Sequence, residues 1–355
     1  MGGHPAVRLS PWRGGDGRCT VGHDEEAALT HIHPPPAGPT PEERSRAVER
    51  RLLALCGELS APLAASARAL VERPGKRLRS ALVSACARLG PADPERVARL
   101  GAVVELLHIA SLLHDDIVDR AETRRGGPAA HTVVGSARAS LAGLACFALA
   151  GQEAADLGRG AATLASRAAA HLSYGEILDV ERAFDTAFPI ADYRELVERK
   201  TGDLFGLCCA LGALEAGADA DVVRGVERFG REFGVAFQVA DDCLDFAGGP
   251  GGPSGGPGKP AGTDHLLGLF GAPTLFALAR DTTGELAALL LSPAFSLADM
   301  PAVGDLVRAH GGLAEASALA AVHRDRAVAA LEDVPDPAVR EELLRMTSLA
   351  GKDGP

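Results

Sequence analysis

Two copies of one acidic pattern, each set in an apolar stretch, constrain what this chain can fold into. The DDxxD pattern occurs first at Asp115, Asp116 and Asp119, and again at Asp241, Asp242 and Asp245. An ionised carboxylate is costly to remove from water, so carboxylates clustered in apolar surroundings are usually paired with cations. The fold must therefore bring both clusters to places that metal ions or basic groups can reach.

The spacing inside each copy suits a helix. The segment from Glu105 to Asp115 contains no Gly or Pro, and Asp115 and Asp119 are four residues apart, which places them on one helix face. Oxygen-only ligands suit Mg²⁺, which binds a few carboxylates together with substrate phosphates. Two such faces, opposed across a cavity, would hold a diphosphate through bridging metal ions. One copy alone would also be compatible with a solvated acidic helix end.

Composition favours an all-α protein. Hydrophobic residues make up 46% of the 355 residues but aromatic residues only 4%, and the abundance of Ala and Leu favours helices over a β-sandwich. The formal net charge is −11, and no Lys/Arg block is present, which argues against nucleic-acid binding.

Cysteine usage and hydropathy indicate a cytoplasmic protein. The seven cysteines show no C-x-x-C spacing, as expected for a reducing compartment. We find no apolar run of membrane-spanning length and no signal-peptide core, so we expect no transmembrane segment. If the protein makes an apolar product, it could still contact a membrane surface peripherally.

The chain divides into a tail and one long helical domain. Residues 1–40 are rich in Gly, Pro and His, and we predict that they are disordered, either as a spacer or as a partner-recruiting segment. Thr40 is a candidate N-cap, followed by Pro41 and by Glu43. We expect one all-α domain over residues 41–350, interrupted by a flexible Gly/Pro loop at 248–258.

Basic residues accompany the acidic clusters. They lie in Gly75-Lys76-Arg77-Leu78-Arg79, in Arg124-Arg125-Gly126, at Lys200-Thr201 and in Gly258-Lys259-Pro260. Arg and Lys are the usual partners of phosphate, and Arg binds it through two parallel hydrogen bonds. Each pair alone is compatible with ordinary surface charge, but their grouping with the Asp clusters indicates a diphosphate substrate.

These motifs resemble those of the trans-polyprenyl diphosphate synthase family over residues 45–350. The matching patterns are GKxxR at Gly75, Lys76 and Arg79, DDxxD with RRG at 115–126, KT at 200–201, FQxxDDxxD at 237–245 and GKPxGxD at 258–264. The resemblance implies a single-domain, all-α isoprenoid-synthase barrel of roughly a dozen helices around a deep central cavity. It also implies a homodimer.

The resemblance further implies a head-to-tail condensation of isopentenyl diphosphate with an allylic diphosphate. Three Mg²⁺ ions, held by the six Asp residues, would bind the allylic diphosphate together with Arg124, Lys200 and Lys259. Isopentenyl diphosphate would be held by Lys76, Arg79, His108 and Arg125. Thr201 and Gln238 would support the allylic cation, although Gln238 is equally suited to a structural hydrogen bond and His108 to the core. His114 is a supporting or structural residue.

Small residues before the first cluster bear on product length. Ala110 and Ser111 lie five and four residues before Asp115, where the resemblance implies that shorter-chain relatives carry a large aromatic residue. We therefore expect an all-trans product of C20 or longer. The chain departs from the family pattern at two positions. Leu269 stands where the family often has a Lys, and Leu144 follows Gly143 where the family usually has an Asp.

Two alternative functions remain open from the sequence. A class I terpene cyclase also uses an Asp-rich motif and Mg²⁺, but the second helix here carries DDxxD instead of the N/D-x-x-S/T-x-x-x-E pattern. A non-catalytic subunit of a heteromeric synthase would be expected to carry degraded motifs, whereas both Asp motifs are intact.

Overall fold

α-Helices make up nearly all the regular structure. The structure, a computed structural model, describes residues 39–244, 246 and 262–348. Within these residues the helices are α1 (Pro41–Gly57), α2 (Ala61–Glu72), α3 (Leu78–Cys86), α4 (Pro94–Val118), α5 (Ala130–Val134), α6 (Ser136–Leu157), α7 (Arg159–Glu181), α8 (Ile190–Val197), α9 (Asp203–Glu215), α10 (Ala220–Leu244), α11 (Thr263–Leu266), α12 (Ala272–Leu278), α13 (Glu285–Leu290), α14 (Met300–Ala309), α15 (Gly312–Ala329) and α16 (Pro337–Thr347).

Some predictions fall outside the described residues. These are the disorder of residues 1–38, the flexible loop 248–258, and the placement of Asp245 and Lys259. The helix count exceeds the dozen that the resemblance implies because it includes short helices such as α11, which has four residues.

The first helix begins where the sequence predicts. Thr40 caps α1 with its hydroxyl, which accepts from the backbone N–H of Glu43 at 3.2 Å. The Glu43 carboxylate in turn accepts from the backbone N–H of Thr40 at 2.8 Å. This reciprocal capping box satisfies two N–H groups that a helix start leaves open.

Two 25-residue helices, α4 and α10, carry the two acidic clusters at their C-terminal ends. Helix α4 packs against α1, α3, α6 and α9, so most of its surface lies in the core. The sequence analysis found no apolar run of membrane-spanning length, but α4 is long and apolar enough to count as one. However, 78% of its most apolar window is buried inside the protein, as in a core helix.

Two hydrophobic clusters build the interior. The larger one joins α1–α4 to α6, α9 and α10, with Leu106 and Phe233 among its fully buried members. The second joins α8, α10 and α12–α15, with Phe270 and Leu286 at its centre. Helix α10 contributes side chains to both clusters, so its C-terminal end is held firmly between them.

Two irregular elements lie beside the acidic clusters. The first is a hairpin of two-residue strands, β1 (Thr123–Arg124) and β2 (Gly127–Pro128), which is too short to show in the sequence as alternating polarity. The second is a π-helical turn, Glu198–Gly202, between α8 and α9. Such turns are rare and frequently mark functional sites.

Candidate active site

One cavity of about 700 Å³, a volume that includes its open mouth, collects residues from both halves of the chain. Five of the predicted site residues line it: Asp119, Lys200, Thr201, Gln238 and Asp242. The two Asp clusters, more than a hundred residues apart in sequence, therefore face a common space.

Helix C-termini place negative charge next to this cavity. Asp119 caps the C-terminus of α4, and Asp241 and Asp242 lie in the last turn of α10. The macrodipole is negative at a helix C-terminus, so carboxylates there are unfavourable unless cations are present.

Asp115 and Glu176 together form a group of buried acceptor oxygens. The Oδ1 of Asp115 and the Oε1 of Glu176 are both buried and accept no hydrogen bond within the described part of the chain. Burial, together with the nearby Asp115, raises the pKa of Glu176 to about 8. Two adjacent acceptor oxygens require a proton or a metal ion between them, so the donor set fits a hard cation such as Mg²⁺.

Asp116 is held by a basic residue from the hairpin. It is 1% exposed, and its Oδ1 accepts from Arg124 Nε at 2.7 Å and Nη2 at 2.5 Å. The hairpin turn is Arg125-Gly126, with φ of 51° and 72°. A two-residue turn of type I′ needs positive φ at both positions, which explains the Gly in this motif. The hairpin therefore directs Arg124 at Asp116.

Asp242 is surrounded by protein donors. Its Oδ2 accepts from the Tyr193 hydroxyl at 2.5 Å and from the backbone N–H of Ala272 at 2.9 Å, and its Oδ1 accepts from Gln238 Nε2 at 3.1 Å. The Oε1 of Gln238 accepts from the Thr201 hydroxyl at 3.2 Å. The structural hydrogen bond that the sequence left open for Gln238 is thus present.

Asp241 has a different environment. Burial and the neighbouring Asp242 and Asp264 raise the pKa of Asp241 to about 6, and Lys76 acts in the opposite direction. Of Asp241 and Asp242, the two described carboxylates of the second cluster, Asp241 is thus the one whose charge is less compensated by hydrogen bonds from the described residues.

Lys200 is surrounded by three carboxylates. Its Nζ lies 2.9 Å from Glu176 Oε2 and 2.7 Å from Asp179 Oδ2. Burial alone would lower the pKa of Lys200, but Asp115, Asp179 and Glu176 raise it well above its ordinary value. The ammonium is therefore a permanent positive charge at the first acidic cluster.

A second group of cations surrounds His108. Arg125 Nη2 lies 3.4 Å from His108 Nε2, and burial followed by Arg79 and Arg125 lowers the pKa of His108 well below its usual value. The guanidinium of Arg79 lies over the Phe205 ring, 4.9 Å from its centroid. Its buried Nε has no hydrogen-bond partner in the described residues. A neutral His beside the guanidinium groups of Arg79 and Arg125 is a site for an anion.

The remaining predicted residues are more dispersed. Lys76 borders another cavity, between α1, α3 and α16, while its charge still reaches Asp241. Ala110 and Ser111 are buried in α4, where the Ser111 hydroxyl donates to the His108 carbonyl at 2.9 Å. His114 packs on Phe147 and lies 3.1 Å from the Ser140 carbonyl, which agrees with a structural role.

The sequence interpretation missed a row of charged residues on α7. Glu176, Asp179 and Arg182 recur every third residue at the end of this helix, and all three are at least partly buried. That spacing on one helix face was a usable signal. Tyr193, which also lines the cavity, offered no comparable signal, whereas Asp264 is the last residue of the GKPxGxD pattern and lines the cavity too.

Comparison with known proteins identifies the family. The polyprenyl synthetase family profile matches residues 60–297. The chain belongs to the polyprenyl synthetase family. A heptaprenyl diphosphate synthase component 2 from Geobacillus stearothermophilus is 33% identical over 86% of this chain and 94% of its own length. A nonaprenyl diphosphate synthase from Mycobacterium tuberculosis is 35% identical over 74% of this chain and 78% of its own.

Solved structures agree. A polyprenyl synthase from Caulobacter crescentus, in complex with calcium and isoprenyl diphosphate, superposes with a TM-score of 0.81. It is 33% identical and covers 88% of this chain and 96% of its own. A decaprenyl diphosphate synthase from Rhodobacter capsulatus gives a TM-score of 0.79 at 30% identity. The predicted isoprenoid-synthase fold is confirmed, and the chain is a prenyl diphosphate synthase by family.

Proposed function

We propose that the cavity binds an allylic diphosphate between the two Asp clusters, and that the cationic group around His108 binds isopentenyl diphosphate. The observation that carries this proposal is that Asp119, Asp242 and Lys200 line one cavity. Relatives with names from geranylgeranyl to nonaprenyl diphosphate synthase support an elongating reaction.

Mg²⁺ is the proposed cofactor, with three ions bound alongside the diphosphate. Asp115 and Asp241 are the ligands that the contacts favour, and Asp119 is proposed because it lines the cavity. The proposed roles of Asp116, Asp242 and Asp245 stay predictions. In the described residues, no three His, Cys, Asp or Glu side chains form a ready-made metal site. Mg²⁺ commonly completes its shell with water and substrate phosphate. When bound, it would stabilise negative charge on the departing diphosphate.

The chain's own residues have distinct parts in the reaction. Lys200 places a fixed ammonium where the C–O bond of the allylic substrate breaks, so it stabilises the leaving diphosphate as its charge develops. Thr201 and Gln238, which are hydrogen-bonded to each other, present polar oxygens towards the allylic cation. The released diphosphate accepts the final proton, so the reaction requires no protein base.

Product analysis tests this function. Purified protein is incubated with Mg²⁺, farnesyl diphosphate and labelled isopentenyl diphosphate, and the dephosphorylated products are sized. We expect elongated chains of C20 or longer, lost on adding EDTA and in Asp115→Asn. Asp156→Asn, on the exposed side of α6, is the matched control and should keep full activity. A released cyclic hydrocarbon would contradict the proposal and indicate a cyclase.

A second candidate follows from the name of one relative. Because the Geobacillus stearothermophilus protein is called component 2, this chain is also a candidate subunit of a two-component synthase. Turnover that requires a second protein would support that candidate over the self-sufficient enzyme.

We further propose that two copies associate through α6 and α7. These packed helices expose Leu141, Leu144, Tyr174, Ile177 and Val180, each about half exposed in the single chain. Leu144, the departure from the family's Asp, adds apolar surface to this face. Exposed apolar side chains grouped on two packed helices are typical of protein interfaces. A cytoplasmic location with peripheral membrane contact remains our expectation.

A further inference from the structure

An apolar side chain stands in the diphosphate cavity where the sequence comparison expected a basic one. Leu269 lines the cavity together with Asp119, Asp179 and Lys200. A leucine offers nothing to a phosphate, so the cavity needs its positive charge from another residue.

Arg182 is fixed beside Leu269 by the backbone. Its Nη1 donates to the carbonyl of Phe270, the residue next to Leu269, at 2.6 Å. The segment after α7 is also joined to the segment before α12 by a hydrogen bond from the Phe184 N–H to the Gly268 carbonyl at 2.9 Å. Arg182 lines the same cavity and is 8% exposed. A lysine side chain at 269 and the guanidinium of Arg182 would therefore deliver charge to one region.

One carboxylate is shared between two cations at this point. Asp179 Oδ1 lies 2.8 Å from Arg182 Nε and 2.7 Å from Nη2, while Asp179 Oδ2 lies 2.7 Å from Lys200 Nζ. Asp179 therefore pairs with both charges, and Lys200 also pairs with Glu176. A guanidinium has five N–H donors, and the contacts with Asp179 and Phe270 use three of them. The other two donors make no hydrogen bond within the described residues and are available for a ligand.

We propose that Arg182 supplies the positive charge that position 269 lacks, by binding the diphosphate of the allylic substrate beside Lys200. The inference rests on the proposed function for the identity of that ligand. Bidentate hydrogen bonding to phosphate oxygens is the contact that a guanidinium makes best. Asp179 then serves to hold Arg182 and Lys200 in place before the substrate arrives.

Binding of an unreactive thiolo analogue of farnesyl diphosphate, measured by calorimetry with Mg²⁺ present, tests the proposal. Arg182→Met should raise the Kd at least about tenfold, since a charged hydrogen-bonding group is lost. Arg167→Met is the control, because Arg167 pairs with Glu227 at the surface and should leave the Kd unchanged. An Arg182→Met protein that is folded and binds as the wild type does would overturn the proposal.

A compensating substitution separates binding from a purely structural role. Leu269→Lys in the Arg182→Met background should recover most of the lost affinity, whereas the same change in the wild type should alter the Kd less than about threefold. If Arg182 only stabilised the fold, the lysine at 269 would not restore binding, and the proposal would fail.

A variant that keeps Arg182 covers the case in which Arg182→Met does not fold. Leu269→Glu places a carboxylate beside the guanidinium and should weaken analogue binding at least about tenfold, because it competes with the diphosphate. Unchanged binding would contradict the proposal. Failure of the proposed function is recognised separately, as absence of elongation by the wild type in an assay that does not depend on these variants.

Discussion

At the scale of single residues, Tyr193 organises the second acidic cluster. It is 2% exposed, and its hydroxyl donates to Asp242, which also binds Gln238 and the start of α12. Gln238 in turn accepts from Thr201. One tyrosine therefore fixes the orientation of the polar groups that face the proposed cation, and it makes Asp242 a positioning residue as well as a predicted metal ligand.

Removing the Tyr193 hydroxyl should lower the stability of the fold. Tyr193→Phe takes a donor from a buried carboxylate, so we expect a loss of about 2 kcal/mol in the free energy of unfolding. Urea denaturation measures it. Thr282→Val, which removes an exposed hydroxyl outside the proposed interface, is the control and should change stability by less than about 0.5 kcal/mol. Equal effects of the two substitutions would show that the Tyr193 hydrogen bond contributes nothing.

Ala110 offers a test of product length. If the growing chain extends along α4 below Asp115, Ala110→Phe should shorten the main product, because an aromatic ring fills that path. Chromatography of the dephosphorylated products measures this. Ala110 is fully buried, so circular dichroism must first show that the variant is folded. A folded variant with unchanged product length would contradict the hypothesis.

At the scale of elements, the π-helical turn carrying Lys200 depends on close packing against α7. A Cβ at Gly175 would lie 2.8 Å from the backbone nitrogen of Lys200, a distance that forces one element to move. The glycine thus sets the position of the ammonium relative to Glu176 and Asp179.

We expect Gly175→Ala to lower kcat at least about tenfold, since small displacements of catalytic groups have large effects on rate. Steady-state kinetics with saturating substrates measures it. Gly160→Ala in the same helix is the control, because nothing lies within 4 Å of its Cβ. It should keep kcat and gain about 0.5–1 kcal/mol of stability. A Gly175→Ala enzyme with normal kcat would contradict this account of the turn.

Glu153 joins three helices away from the site. Its carboxylate, 1% exposed, accepts from Arg51 of α1 and Arg99 of α4, with Nε contacts of 2.7 Å each. Burial alone would raise the pKa of Glu153, but the hydrogen bonds from the two arginines outweigh it and lower the pKa to about 2.

This shift predicts a pH dependence of stability. Because the folded-state pKa lies below the unfolded value of about 4.5, Glu153 stabilises the protein above pH 4.5, and the effect fades as the pH falls towards 2. We expect Glu153→Gln to cost about 2 kcal/mol at pH 7, because both guanidinium groups are partly exposed. Denaturation at pH 7 and pH 4 should show the difference shrinking. Asp333→Asn, an exposed carboxylate outside this network, is the control, and a pH-independent difference would argue against the network.

Local features were predictable from sequence, and long-range ones were not. The capping box at Thr40 and the helical spacing of the Asp residues depend on neighbours within four positions. The bond between Tyr193 and Asp242 joins residues 49 apart, and nothing near either residue indicates it. The π-helical turn and the burial of Arg182 likewise arise from packing between helices. Propensity and periodicity do not describe such contacts.

At the scale of the whole molecule, α4 and α10 both end at the cavity, and α10 is held between the two hydrophobic clusters. The packed interior fixes the positions of the carboxylates, while α6 and α7 expose the apolar side chains of the proposed dimer interface.

The proposed association has a direct test. Replacing Leu144 and Ile177 together by Asp should convert a dimer to a monomer, because charges would be buried in an apolar interface. Light scattering coupled to size exclusion measures the mass. Leu291→Asp, an equally exposed leucine elsewhere, is the control and should leave the dimer intact. A wild-type monomer, or a double variant that stays dimeric, would contradict the proposed interface.

The central claim is that both acidic clusters hold metal ions around one diphosphate. Crystals grown with Mn²⁺ and the thiolo analogue of farnesyl diphosphate test it through anomalous scattering. We predict metal peaks about 2.1 Å from carboxylate oxygens of Asp115 or Asp119 and of Asp241, with the diphosphate between them. Metal bound at one cluster alone, or a diphosphate held away from both, would contradict the claim.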